Sequence, residues 1–272
     1  MVYEISISNY KSILRQQFPL GRLNVFVGRN GSGKTNILEA IGLASAAHDE
    51  ALDSENLKKR GIKPTKPSLM IHSSPNQEKN NNEIEIVWHE KNSWKKSKLV
   101  CNDINDINAS WKDVSWYEPE YVEKINNLIL YISDGTIKGQ YPFSDQSKNA
   151  ALNAAFRGSR NFRNYHIYNY FDVLKESPES YYLSLFSDTR APSIFAIDNI
   201  ESLLAPDICG NLIQTIAKLT VKQNKQVFIT TNNPDVVKGM DLKILGQKLF
   251  VVKITEGKTV VEELKDISLV EI

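Results

Sequence analysis

The sequence lacks the features that mark several large classes of protein. Its two cysteines, Cys101 and Cys209, stand far apart without CxxC spacing, so neither a disulfide framework nor a zinc ribbon is expected. No apolar run approaches the roughly 18 residues that a membrane-spanning helix needs. The first residues carry neither the basic nor the apolar region of a signal peptide. We therefore expect a cytoplasmic protein that makes no membrane contact.

An excess of charge of one sign is also missing. The 33 Lys and Arg residues stand against 32 Asp and Glu, and the formal net charge of +1 favours neither nucleic acid nor a membrane surface as partner. No long heptad repeat is present, which excludes a coiled-coil arm. With 272 residues, of which 41% are hydrophobic, the chain can bury the core of one α/β domain that carries an insertion.

The most informative stretch is residues 23–41. An apolar run over residues 23–27 is followed by Gly28-Arg-Asn-Gly-Ser-Gly-Lys34-Thr35 and then by a helical pattern. This is G-x-x-x-x-G-K-T between a strand and a helix, the pattern of a P-loop. Its glycines let backbone N–H groups face an anion, Lys34 brings charge to the β- and γ-phosphates, and Thr35 offers a hydroxyl to Mg²⁺. The sequence therefore predicts that a nucleotide binds through Arg29, Asn30, Gly31, Ser32, Gly33, Lys34, Thr35 and Asn36.

A second segment, residues 193–198, predicts a buried strand that ends in the carboxylate of Asp198. In a P-loop protein such an Asp lies beside the loop and holds Mg²⁺ through its water shell, so Thr35 and Asp198 are the predicted metal residues. Two interpretations of Lys11 and Ser12 stay open. They contact the nucleotide, or they form an exposed turn, which the residue types favour.

The rest of the chain predicts strands that alternate with helices, hence a mostly parallel sheet with its ligand at the carboxyl ends of the strands. We predict an α/β fold in a single domain, 1–272, whose core comes from residues 1–48 and 165–272. An inserted lobe over about 49–164 carries an antiparallel hairpin and a small helical region. The predicted strands cover residues 2–8, 23–27, 83–89, 94–100, 193–198, 225–231, 249–254 and 260–264. The predicted helices cover 34–47, 122–131 and 208–219. Residues 49–66 are predicted to be a polar, solvated connection, and a contact of their basic residues with phosphate or nucleic acid is the alternative; those residues are Lys58, Lys59, Arg60, Lys63 and Lys66.

One basic segment admits two interpretations. Arg157, Arg160 and Arg163 recur at every third position among aromatic residues, so a helix would place them along one face. Such a row can meet the phosphates of a nucleotide or a nucleic acid. A solvated basic face is the alternative, and Gly158 weakens the helix prediction.

Taken in order, these segments resemble the RecF/SMC-like ABC-type ATPase heads, which are grouped with the AAA family in prokaryotes. The resemblance is carried by residues 5–12, the loop at 28–35, and residues 195–201 and 227–234. The Asp198-Asn-Ile-Glu201 form is similar to that of ATPases in bacterial anti-phage and retron-linked, Septu-like systems. The resemblance implies a P-loop NTPase fold of ABC-head type, ATP and Mg²⁺ as cofactors, and a dimer. In that dimer each nucleotide lies between one phosphate loop and the signature motif of the other subunit.

The sequence departs from that family at three places. Asn199 stands where the catalytic glutamate is expected, and Asn232 stands where a histidine senses the γ-phosphate. The Leu-Ser-x-Gly signature is missing, since residues 175–180 occupy its region without a glycine. Glu201 is a candidate base only if the backbone path differs from that of the family. A head with these changes is expected to bind ATP and to hydrolyse it slowly or not at all.

Three functions follow as hypotheses. In the first, the chain is a dimerising ATP-binding subunit of a prokaryotic defence complex, and its nucleotide state controls assembly with an effector such as a nuclease. In the second, it is an active RecF-like ATPase that acts on DNA in repair or recombination. In the third, it is a scaffold that keeps the remains of a nucleotide site.

Overall fold

The computed structural model describes most of the chain outside residues 116–192. The described residues are 1–48, 50–63, 65–73, 82–91, 94–107, 109–115, 129–133, 136–137, 181–182, 185–186, 193–202 and 204–270.

Within these residues, strands from both halves of the chain form two sheets. The strands are β1 (Glu4–Tyr10), β2 (Ile13–Pro19), β3 (Leu23–Val27), β4 (Glu83–His89), β5 (Trp94–Cys101), β6 (Trp111–Asp113), β7 (Ile129–Ser133), β8 (Thr136–Ile137), β9 (Ile194–Asp198), β10 (Gln226–Thr231), β11 (Gln247–Thr255) and β12 (Lys258–Leu264). The helices are α1 (Lys34–His48), α2 (Ser54–Lys59), α3 (Pro67–Met70), α4 (Pro206–Lys222) and α5 (Pro234–Lys238), and a short 3-10 helix covers Ile267–Leu269.

The larger sheet has seven strands in the order β12-β11-β3-β10-β9-β7-β8. Its central strands run parallel, from β11 through β3, β10 and β9 to β7, and an antiparallel strand closes each edge. Every residue of β3, β9 and β10 is buried, as is typical of parallel strands covered on both faces. The loop that leaves β3 therefore lies between the ends of β10 and β11.

Helices cover both faces of this sheet. On one face Phe26 packs with Ile37 and Ile41 of α1, and the five-stranded antiparallel sheet β2-β1-β4-β5-β6 joins the same apolar cluster. On the other face Val25 and Val27 pack with residues of α4. Because successive side chains of a strand point to opposite faces, β3 contributes to both cores and is held firmly in place.

Several predicted elements are confirmed. The helix after the phosphate loop extends over Lys34–His48, and the predicted 83–89 and 94–100 strands form the antiparallel pair β4–β5. The closing pair at the end of the chain is the hairpin β11–β12. The first strand lies two residues later than predicted, at Glu4–Tyr10.

Two predictions are wrong in part. Residues 129–131 belong to β7, a parallel neighbour of β9, and not to a helix. The physical reason is that the apolar run Ile129-Leu130-Tyr131-Ile132 fits a buried strand as well as a helix, which periodicity alone does not separate. This strand extends the core sheet, although the sequence assigned it to the inserted lobe.

The connection over 49–66 is not merely polar. It includes α2, and Leu57, Arg60 and Ile62 are buried against the core. The prediction followed the many charged residues of this segment and overlooked its few apolar ones. Among the described residues, no helix combines the length and the apolar character needed to cross a membrane.

Candidate functional site

The predicted phosphate loop, residues 28–33, connects the end of β3 to the start of α1. Gly31 and Gly33 adopt φ values of +81° and +99°, a region that favours glycine. A Cβ atom on Gly28 would lie 2.2 Å from the carbonyl oxygen of Val252, and one on Gly33 would lie 2.1 Å from Oγ1 of Thr259. Two of the glycines are thus required because the C-terminal hairpin packs directly against the loop.

Lys34 begins α1 and is buried under the loop that precedes it. Its Nζ donates hydrogen bonds to the carbonyl oxygens of Gly28 at 2.6 Å and Arg29 at 3.0 Å. Burial lowers the pKa of the Lys34 ammonium from its ordinary value, while the carboxylates of Glu201 and Asp198 act to raise it. Lys34 also lies at the N-terminus of a helix, where the helix dipole favours an anion.

The two predicted metal residues lie together. Thr35 Oγ1 is 3.1 Å from both carboxylate oxygens of Asp198, although the residues are far apart in sequence. Thr230 of β10 donates a further hydrogen bond to Oδ1 of Asp198. Asp198 is only 6% exposed, so its charge is held inside the site.

The donor set fits a small divalent cation. A hydroxyl and a carboxylate are hard oxygen ligands of the kind that Mg²⁺ takes together with phosphate oxygens and water. The hydroxyl of Ser32, in the loop itself, is buried and is without a hydrogen-bond partner in the described structure. A phosphate oxygen would supply the acceptor that this hydroxyl lacks.

Asn199 follows Asp198 with a φ of +51°, in the left-handed region that Asn tolerates better than most residues. Its backbone N–H donates to Thr230 Oγ1 at 2.9 Å. An amide side chain has no basic group that could take a proton from water.

Glu201 and Asn232 meet at the end of β10. One carboxylate oxygen of Glu201 accepts from the Thr231 hydroxyl at 2.8 Å, and the other accepts from the Asn232 backbone N–H at 2.9 Å. The Asn232 side chain donates to Oδ1 of Asn30 in the phosphate loop at 3.0 Å.

Lys11 and Ser12 do not form the exposed turn that their residue types favoured. The Lys11 side chain is 19% exposed and forms an ion pair with the buried Glu39 of α1. Glu39 also accepts a hydrogen bond from the Tyr10 hydroxyl at 3.3 Å. The turn is thus attached to the helix that follows the phosphate loop.

Ser12 belongs to a chain of hydrogen bonds under the loop. Asn36 Nδ2 donates to Ser12 Oγ at 2.7 Å, Ser12 Oγ lies 2.6 Å from Thr259 Oγ1, and Thr259 donates to the Ser32 carbonyl at 3.2 Å. Because the Thr259 proton points to Ser32, the Ser12 hydroxyl is the donor to Thr259. Ser12 and Asn36 therefore support the loop from below.

Sequence reasoning missed Thr230, Thr259 and Glu39. Thr230 had a signal, since a polar residue inside a buried strand beside a predicted metal site needs a polar partner. Thr259 lies on an ordinary alternating strand and gave none. The predicted Arg157, Arg160 and Arg163 row and residues 175–180, where the signature was sought, fall outside the described residues.

Comparison with known proteins places the chain in a family. The model of the AAA domain family matches residues 4–267, nearly the whole chain. No curated protein matches the sequence.

Solved structures of SMC heads share the fold. The SMC head bound to the C-winged helix domain of ScpA has a TM-score of 0.60 at 13% identity, covering 97% of this chain and 98% of that one. The SMC head domain from Thermotoga maritima has a TM-score of 0.54 at 14% identity, covering 97% and 99%. A Pyrococcus furiosus SMC head bound to the C-terminal domain of ScpA has a TM-score of 0.53 at 11% identity, covering 97% and 96%.

These matches confirm the predicted fold class, in which an antiparallel sheet accompanies a mostly parallel sheet flanked by helices. The chain belongs to the AAA domain family and has the P-loop ATPase fold of the SMC heads.

Proposed function

We propose that the site binds ATP with Mg²⁺ and that nucleotide binding controls the assembly of this chain with itself and with a partner. The observation that carries the proposal is the Thr35–Asp198 contact beside Lys34, at the carboxyl ends of β3 and β9, which lie on either side of β10. Thr35 and Asp198 would hold the cation, and Lys34 and the loop N–H groups would hold the phosphates. Bound Mg²⁺ neutralises phosphate charge and so favours attack at the γ-phosphate.

We further propose that hydrolysis is slow. The support is chemical, since Asn199 and Asn232 are amides at the positions where the family resemblance implies a general base and a γ-phosphate sensor. Loss of a base or of one such contact would reduce turnover by about 10²–10⁴.

Assembly with a partner protein is supported by structures of the same fold. SMC heads of the same fold have been solved bound to domains of ScpA, so heads of this shape can carry a protein partner. For this chain we propose a single head domain that dimerises around nucleotide and binds an effector such as a nuclease, in an anti-phage system of the cytoplasm. The RecF-like alternative, an active ATPase on DNA, has its support in the arginine row at residues 157, 160 and 163.

The first test measures nucleotide binding by calorimetry with a slowly hydrolysed ATP analogue, with and without Mg²⁺. We expect binding that Lys34→Ala weakens by about 10- to 100-fold, since a charge-assisted contact is lost. Asp198→Asn should remove most of the Mg²⁺ dependence. Lys218→Ala, a change at an exposed lysine on α4, is the control and should bind like the wild type.

Two results would contradict the proposal. Absence of analogue binding by the folded wild type would reject the nucleotide site and favour a scaffold. Turnover equal to that of ordinary ABC-type heads would reject slow hydrolysis.

Light scattering with and without MgATP measures dimerisation. Salt-dependent DNA binding that is lost when the three arginines are removed would favour the RecF-like alternative.

A further inference from the structure

We infer that Glu201 is a positioning residue, which fixes the end of β10 and through it the phosphate loop, and that it is not the general base. The inference rests on the proposed nucleotide site, and it assigns a role to the carboxylate that the sequence left as a candidate base. Its basis is a line of contacts from Glu201 through Asn232 to Asn30.

The first step is the orientation of the Glu201 carboxylate. Both of its oxygens receive hydrogen bonds from consecutive residues of one strand end, Thr231 at 2.8 Å and Asn232 at 2.9 Å. The Thr231 hydroxyl also accepts the Asn233 N–H at 3.0 Å, so its proton is committed to Glu201. The carboxylate thus faces the backbone of β10, where it satisfies groups that the parallel ladder leaves free at the strand end.

The second step is the consequence for Asn232. With its backbone N–H held by Glu201, this residue directs its side-chain amide to Oδ1 of Asn30 at 3.0 Å. Asn30 lies in the exposed part of the phosphate loop, just before Gly31. Hence Glu201 acts on the loop through one intermediate residue, and the loop is tied to β10 as well as to the hairpin β11–β12.

Glutamine and alanine variants separate the two roles. In Glu201→Gln the Oε1 atom can accept the Asn232 N–H, and the Nε2 group can donate to the second lone pair of Thr231 Oγ1. We expect this variant to keep analogue affinity and single-turnover rate within about threefold, as for the loss of one screened charge. Glu201→Ala leaves the Asn232 N–H without its partner and should weaken analogue binding by about 10- to 100-fold.

A readout without nucleotide keeps the inference separate from the proposed function. Amide hydrogen exchange at Asn232 should be slow in the wild type and in Glu201→Gln, and clearly faster in Glu201→Ala. Asn30→Ala should reproduce part of the affinity loss while leaving the Asn232 amide protected. Thermal melting verifies that each variant is folded.

Two outcomes would overturn the inference. A fall in turnover of about 10²–10⁴ in Glu201→Gln at unchanged analogue affinity would identify Glu201 as the base. Unchanged exchange at Asn232 in folded Glu201→Ala would show that the carboxylate does not hold the strand end. If the wild type binds no nucleotide, the exchange measurements still decide the positioning role, so the two failures are distinguishable.

Discussion

At the scale of single residues, Asn199 combines a left-handed backbone conformation with an amide side chain where a glutamate is expected. Its φ of +51° suits asparagine, and its N–H is anchored to Thr230 Oγ1 at 2.9 Å. The backbone next to Asp198 is therefore fixed, and a substitution at this position changes mainly what the side chain offers to the site.

Asn199→Glu is expected to raise the rate of ATP hydrolysis by about tenfold or more, because it restores a proton acceptor at the position where the family resemblance implies one. The cost in stability should be about 1 kcal/mol, since a longer side chain tolerates the left-handed region less well. Phosphate release and thermal melting measure the two effects.

Asn199→Gln is the matched control for this substitution. It has the same length and the same backbone cost but no basic group, so its turnover should stay at the wild-type level. Equal rates in the two variants would contradict slow hydrolysis through a missing base.

The central residues of the site could be predicted from the sequence, and the supporting ones could not. Thr35 and Asp198 were predicted because motif spacing and strand ends fix where they lie in a parallel sheet. Thr259 contacts Ser32 across a sequence separation of 227 residues, and no local pattern encodes such a contact.

At the scale of elements, the hairpin β11–β12 is the support of the phosphate loop. Its backbone lies against Gly28, and its Thr259 side chain links Ser12 to the Ser32 carbonyl in the hydrogen-bond chain that begins at Asn36. The hairpin itself was predicted from the Glu256-Gly257 turn between two apolar runs. The contact of the hairpin with the phosphate loop could not be predicted. The alternation of apolar and polar residues along a strand indicates which face is buried, but it does not indicate which element covers that face.

Thr259→Val should weaken binding of the ATP analogue by about 3- to 30-fold and lower the free energy of unfolding by about 1–2 kcal/mol. Valine fills the same volume, but it removes the hydroxyl that donates to the Ser32 carbonyl and the oxygen that accepts from the Ser12 hydroxyl. Calorimetry and chemical denaturation provide the measurements.

Thr259→Ser keeps the hydroxyl and should bind nearly as the wild type does. Thr255→Val, at an exposed position of the same hairpin, should have no effect. A loss of affinity in Thr255→Val equal to that in Thr259→Val would mean that the hairpin acts through general stability and not through this hydroxyl.

At the scale of the whole molecule, a buried amide joins the beginning of the chain to the core sheet. Gln226, the first residue of β10, accepts the Val2 N–H at 3.1 Å and donates to the carbonyl oxygens of Val2 at 2.7 Å and Gly21 at 2.8 Å. The parallel sheet was predicted from alternating strands and helices. The place of β7 beside β9 was not, because a strand order depends on long-range packing.

Gln226→Leu is expected to lower the free energy of unfolding by about 2–4 kcal/mol, because it removes the partner of the Val2 N–H and carbonyl groups and one of the two donors to the Gly21 carbonyl, which keeps Asn24. Chemical denaturation measures the change. Gln17→Leu, at an exposed position of β2, should stay within about 0.5 kcal/mol of the wild type. Similar losses in both variants would contradict the role of this amide.

The place of β3 in its sheet has a consequence for biosynthesis. The two strands that hydrogen-bond to β3 (Leu23–Val27) are β10 and β11. Both are synthesised late, since they lie within residues 226–255. At roughly 5–20 residues per second, this apolar segment waits on the order of ten seconds or longer for its partners. During translation we therefore expect chaperones to bind this segment. A nascent chain that stops early would expose an unpaired apolar strand that is prone to aggregate.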